Sequence, residues 1–270
     1  MKRFIIGISG FLFLNIYFNG TTPFISNSVI QFICLLLFFP IASFIAKING
    51  FPELKGIGLV KKRHWMRHFI VSFVIGFGFW ALMYISYWLL GKFEIIGIKT
   101  GIEAISIIVQ VLVGFFFGSL INDLITRGYV LNLLKGKLPA YALAGISICI
   151  YAVDDFWNGD LTTTNFVFSI ILGCSLTYSF LKTGSVWANT GIHFGLNVAY
   201  GIIYGLSGEY GGGLILTVKG EINPVLNNFI VLAAATIMFL AVFLYYRNKS
   251  NENIRFVGVE RHDRDARQIT

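Results

Sequence analysis

Eight stretches of the chain, roughly residues 4–18, 28–48, 68–90, 104–126, 139–155, 165–182, 185–206 and 227–246, are apolar and nearly free of charge. No other feature constrains the fold as much. A helix of ~20 apolar residues crosses the hydrocarbon core with every backbone donor and acceptor paired internally, which irregular chain cannot do in lipid. The pattern therefore predicts an all-α polytopic membrane protein of about eight transmembrane helices. Composition agrees: 56% of residues are hydrophobic and 13% are charged, where a soluble domain carries about 25% charge to solvate its surface. A soluble enzyme, a disordered tail and a DNA-binding domain are excluded.

The net charge of +8 does not indicate nucleic acid, because the cations lie in the links between apolar runs instead of forming one stripe. Lys2 and Arg3 precede the first run, and Lys47, Lys55, Lys61, Lys62, Arg63 and Arg67 follow the second. Arg127, Lys135 and Lys137 follow the fourth, and Arg247 and Lys249 follow the eighth. The intervening links are neutral or acidic, so the positive-inside bias predicts cytoplasmic termini. Residues 1–246 read as one membrane domain and 247–270 as a charged cytoplasmic tail. The start lacks a small-x-small cleavage site and reads as a retained span. Cys34, Cys149 and Cys174 each fall inside an apolar run without a CxxC or Cys/His cluster, so they read as packing residues. The second link interleaves Phe51, Leu54, Ile57 and Trp65 with its cations, as a segment resting on headgroups would.

Polar groups inside spans are expensive and mark functional sites. Three segments carry them: Asn122-Asp123 with Arg127 at the end of the fourth span, Asp154-Asp155 at the end of the fifth, and Asn189, His193 and Asn197 in the seventh. Asp123 and Arg127 are four apart and share a helical face, as do Asn189, His193 and Asn197. A turn near Leu138-Pro139 would fold the fourth and fifth spans into a hairpin that brings Asn122 and Asp155 level. The seventh span could add His193 to the same pocket. A stripe of helix-bridging polar contacts is the alternative reading of the seventh span.

These residues resemble the CPBP intramembrane proteases, which include eukaryotic CAAX prenyl endopeptidases and bacterial proteins of the Abi group linked to bacteriocin processing and self-immunity. The family's paired glutamates followed by x-x-Phe-Arg-Gly align with Asn122-Asp123-Leu124-Ile125-Thr126-Arg127-Gly128. Its Phe-x3-His aligns with Tyr151 through Asp155, and its Trp-containing helix with His-x3-Asn aligns with Trp187, His193 and Asn197. The similarity covers about residues 104–206. It implies hydrolysis of a peptide bond in the membrane, in which the first glutamate and the second-motif histidine activate water. The third-motif His and Asn would stabilise the oxyanion. It also implies catalytic positions at Asn122, Asp123, Arg127, Asp155, His193 and Asn197, substrate contacts at Trp187 and Asn189, and residence in a bacterial plasma membrane.

The departures fall on the water-activating half. Asn122 stands where the family has its glutamate, and an amide does not accept a proton at neutral pH. Asp155 stands where the family has histidine. The expected role is a protease-like scaffold that binds a hydrophobic or prenylated peptide, or a partner membrane helix, with little or no proteolysis. Two alternatives stay open: an endopeptidase in which Asp123 and Asp155 share a proton, and a transporter or channel that uses the same charged groups. No HExxH-type spacing is present, so no metal and no cofactor are expected.

Overall fold

A computed structural model describes residues 2–25, 27–158 and 162–248. Residues 249–270 of the expected charged tail, and Asp160 in the acidic link, lie outside the described residues.

The eight expected apolar runs are all helices. In chain order, α1 (Lys2–Phe24) and α2 (Ser28–Ile48) precede a single-turn α3 (Glu53–Gly56) and α4 (Trp65–Leu89). A strand β1 (Phe93–Ile98) leads into α5 (Gly101–Asp123), and a π-helical segment (Leu124–Tyr129) joins α5 to α6 (Val130–Leu134). Then follow α7 (Ala140–Asp154) with a 3-10 turn (Asp155–Asn158), α8 (Thr163–Thr183), α9 (Val186–Tyr204), β2 (Ile215–Lys219) and α10 (Pro224–Arg247). Asn27 caps α2 by accepting from the Val29 and Ile30 amides, and Asn223 caps α10 in the same way ahead of Pro224.

Among the described residues, six helices are long and apolar enough to cross a membrane; the stretch from α5 through α6 counts as one. The expectation of about eight is refined for two physical reasons. Helix α7 has 15 residues, about 22 Å of rise, short of the ~30 Å hydrocarbon core. Helix α9 carries the polar stripe and is shielded by its neighbours rather than by its own apolarity. The predominantly helical fold gains one element the apolar pattern hid: β1 and β2 pair antiparallel, from Phe93 opposite Lys219 to Ile98 opposite Ile215, with an irregularity between Ile95 and Gly97.

Helix α9 occupies the centre because its faces differ. A Cβ on Gly191 would run into the Phe69 carbonyl, and one on Gly195 into the Phe73 carbonyl, while on the partner helix a Cβ at Gly76 would meet the Ile192 carbonyl. The backbones of α4 and α9 thus touch through a small-x3-small face. Positions 189, 193 and 197 are two residues away from those glycines, about 200° around the helix, and so point toward α5 and α7. Two apolar clusters meet along α9: Ile192 and Leu196 belong to one with Trp80, Leu176 and Met238, and Val186 to the other with Ile57, Leu124 and Tyr129. The expected interfacial segment is pinned into this second cluster. Ile57 is 1% exposed, Gly58 accepts from the Val186 amide, and Val60 accepts from Ser185.

Candidate intramembrane site

The π segment follows Asp123 directly, and inserting it into a long helix re-aims the side chains that follow, as such segments do at functional sites. Arg127 lies within it and is fully enclosed. Its Nη1 donates to Asp123 Oδ1 at 2.8 Å and to Thr126 Oγ1 at 2.9 Å, with Asn122 Oδ1 at 3.4 Å. The guanidinium carbon lies 4.2 Å from the Tyr151 ring centroid, a cation–π contact from α7. Gly128 follows because a Cβ there would overlap the Ile57 carbonyl.

Asp123 is equally enclosed. Its Oδ2 accepts from Thr190 Oγ1 at 3.0 Å, and His193 Nδ1 lies 3.6 Å away. Both oxygens are therefore engaged, one by α9 and one by its own helix. The hairpin is held at this level by Ser147, which donates to the Thr126 carbonyl at 2.8 Å. At the end of α7, Asp154 Oδ1 accepts from Asn15 at 2.6 Å and from Asn19 at 3.4 Å, so α1 docks on the site through amides. Asp155 Oδ2 accepts from Ser169 of α8 at 2.5 Å.

A cavity of about 1050 Å³ opens beside these groups. Asn122, Asp155, His193 and Asn197 line it together. Its walls are largely apolar and aromatic, with Phe38, Trp80, Phe115 and Phe168 among them, while Asn19 and Gln110 add amides. His193 shows 12% of its side chain to solvent, and its ring meets Tyr151 edge-on at 6.0 Å. Asn197 donates its Nδ2 to Ser119 Oγ at 3.0 Å.

The structure thus gathers helices α5, α7 and α9 around one pocket, as the hairpin arithmetic required. Four expected site residues face it, and four stand behind it. Asp123 and Arg127 form the enclosed pair. Asn189 is also fully enclosed, and Trp187 packs on Trp65 at 4.9 Å and on Phe69 at 6.1 Å. Sequence reasoning did not single out Asn15, Asn19, Ser119, Ser147, Ser169 or Thr190. The spacing of Asn15 and Asn19, four apart in an apolar run, is the one signal that could have drawn attention to the first helix.

The fold and cavity define an integral membrane protein with a largely apolar chamber that carries a few polar side chains among its helices. Residues 104–199, a little over a third of the chain, match the family described as Rce1-like, type II CAAX prenyl endopeptidase. The match bears out the resemblance carried by the three motifs, and the chain has a CAAX-protease-like membrane scaffold over these helices. No curated protein and no solved structure matches the chain.

Proposed function

We propose that the protein uses this scaffold to hold a hydrophobic peptide or a partner membrane helix, in a regulatory or immunity-type role, with little or no proteolysis. One observation supports the reading: Asn122 and Asp155, which the motif resemblance aligns with the family's water-activating residues, both line the cavity. The Asn122 amide cannot take a proton from water. Asp123, the neighbouring carboxylate, is bound on both oxygens by Arg127 and Thr190, which holds it as an acceptor for protein donors. The oxyanion half is also partly committed, since the Asn197 amide donates to Ser119. What remains is a chamber of about 1050 Å³, enough volume for several apolar side chains.

The experiment is binding of a fluorescent apolar peptide to the purified protein in lipid nanodiscs, followed by mass spectrometry of the peptide. Gly118 lines the cavity, and a Cβ there meets nothing within 4 Å, so Gly118→Trp introduces a bulky ring at the chamber wall from a position with open space at its Cβ. The reading expects saturable binding, intact peptide, and loss of binding in Gly118→Trp. Cleavage products that disappear in Asp155→Asn would overturn it.

A further inference from the structure

We infer that the chamber is loaded from the extracytoplasmic side, and that its occupant is an extended apolar peptide segment entering past Gln110 and Ser207 and ending against Asn122 and His193. This deepens the proposed function and rests on it, because it names the route and the conformation of the peptide held in the same chamber.

The cavity occupies one half of the bundle. On α5 its lining lies between Val109 and Asn122 and stops there, and residues 123–131 are all buried. On α9 the lining begins at His193, near the middle of the helix, and continues through Tyr200 to the link residues 206–208. Helix α8 contributes Phe168 and Leu172 from its first half, and α1 and α2 contribute from residues 17–21 and 31–38, beside the link that joins them. Asn122 and His193 therefore form a floor. Beneath it Ile57 and Val186 are 1% and 0% exposed, while Gln110 and Ser207 at the other end are exposed.

The closed end carries the cations Lys61, Lys62, Arg63, Lys135, Lys137 and Lys182, and such residues stay on the cytoplasmic side of a membrane. At the open end Lys92, Lys99 and Lys219 are offset by Glu94, Glu209 and Glu221. The mouth therefore faces outward. From Val109 to Asn122 the cavity follows α5 for ~20 Å, room for about six residues of extended chain. Three amides in the wall suit a peptide backbone. Gln31, Gln110 and Asn197 give their N–H groups to the Ile25 carbonyl, Ser106 and Ser119, and their side-chain oxygens accept from no described residue. The backbone N–H groups of an extended chain can donate to these oxygens, which neither an acyl chain nor the internally paired backbone of a helix can do.

The test applies a small membrane-impermeant methanethiosulfonate to intact cells expressing the protein and, separately, to inside-out vesicles, with mass spectrometry reporting each cysteine. Gly118→Cys places a thiol in the wall, where a Cβ meets nothing within 4 Å, and the native Cys34, also in the wall, is a second reporter that needs no substitution. Lys137→Cys and Glu221→Cys mark the two faces. Gly118→Cys and Cys34 are expected to react many-fold faster in intact cells than in inside-out vesicles, as Glu221→Cys does and Lys137→Cys does not. An apolar six-residue peptide added outside at about ten times its Kd should lower the Gly118→Cys rate about tenfold, while a lysolipid at the same concentration leaves it unchanged. Reaction of the wall thiols from the cytoplasmic face alone, or from neither face, or reaction of Lys137→Cys in intact cells, overturns the outward route and leaves the peptide-holding reading standing. Outside reaction that the lysolipid blocks and the peptide does not overturns the peptide occupant, and the proposed function with it.

Discussion

Arg127 Nη1 lies 2.8 Å from Asp123 Oδ1, one helical turn earlier, and neither side chain is exposed to solvent. Such a pair contributes little net stability relative to apolar residues of the same shape, because desolvation offsets attraction, but losing one partner leaves a buried charge alone. Asp123→Asn or Arg127→Met should each cost about 3–5 kcal/mol. The double variant should cost much less than the sum, since the charges leave together. Thermal unfolding of the four proteins in one detergent measures this; additive losses would show that the two side chains act independently.

The α4–α9 contact makes a second prediction. Gly191 and Gly195 lie against the Phe69 and Phe73 carbonyls, so the obstacle to a larger side chain is backbone, which cannot rotate away. Gly191→Leu or Gly195→Leu should cost about 1–3 kcal/mol or more, and should also disturb the polar stripe on the opposite face of the helix. Gly145→Leu is the control, since a Cβ there meets nothing within 4 Å. Equal melting points for all three variants would contradict the packing.

Much of this arrangement was legible in the sequence. The apolar runs located every long helix, and intervals of four put His193 and Asn197 on one face. The chain midpoint between Asn122 and Asp155 was enough to fold the hairpin. What stayed hidden depends on contacts that periodicity does not encode. Asn122 and Asp123 are adjacent, yet the π segment and Thr190 draw Asp123 into the packed interior while Asn122 faces the cavity. Trp187 shares a helix with His193, yet Trp65 and Phe69 from α4 receive its ring. The β1–β2 pair escaped because Phe93–Ile98 and Ile215–Lys219 are short, and their partnership spans the whole central bundle in sequence.

Lys92 lies just beyond α4, donating to Asn227 Oδ1 at 2.6 Å with its ammonium 3.7 Å from the Tyr87 ring centroid. Burial pushes it down to about 8. In the unfolded chain a lysine keeps its proton to about 10.4. Between those values the unfolded state binds more protons than the folded state, so the Lys92 contribution makes stability rise with pH across that window. Below about pH 8 both states are protonated and the contribution is flat. Subtracting the melting curve of Lys92→Met from that of wild type, at steps from pH 7.5 to 10, should reveal the rise; a flat difference would contradict it.

Helix α1 is held at the site by Asn15 and Asn19 on Asp154, and Tyr17 donates to the Cys34 carbonyl at 2.8 Å in the cavity wall. Asn15→Leu removes the shorter amide contact and should cost about 1–3 kcal/mol. Release of α1 should speed maleimide labelling of Cys34 several-fold, with the exposed Cys149 as internal reference. Unchanged Cys34 labelling would mean that the amides do not control access to the chamber.

The central claim is that a protease-like chamber serves here for binding. It is tested most directly by incubating purified wild-type protein in lipid with prenylated and signal-derived peptides and counting new peptide termini by mass spectrometry. Asp123→Asn and Asp155→Asn run alongside. The account expects no products above the level of empty nanodiscs in any of the three samples. Products from wild type that vanish when either aspartate is changed would contradict it.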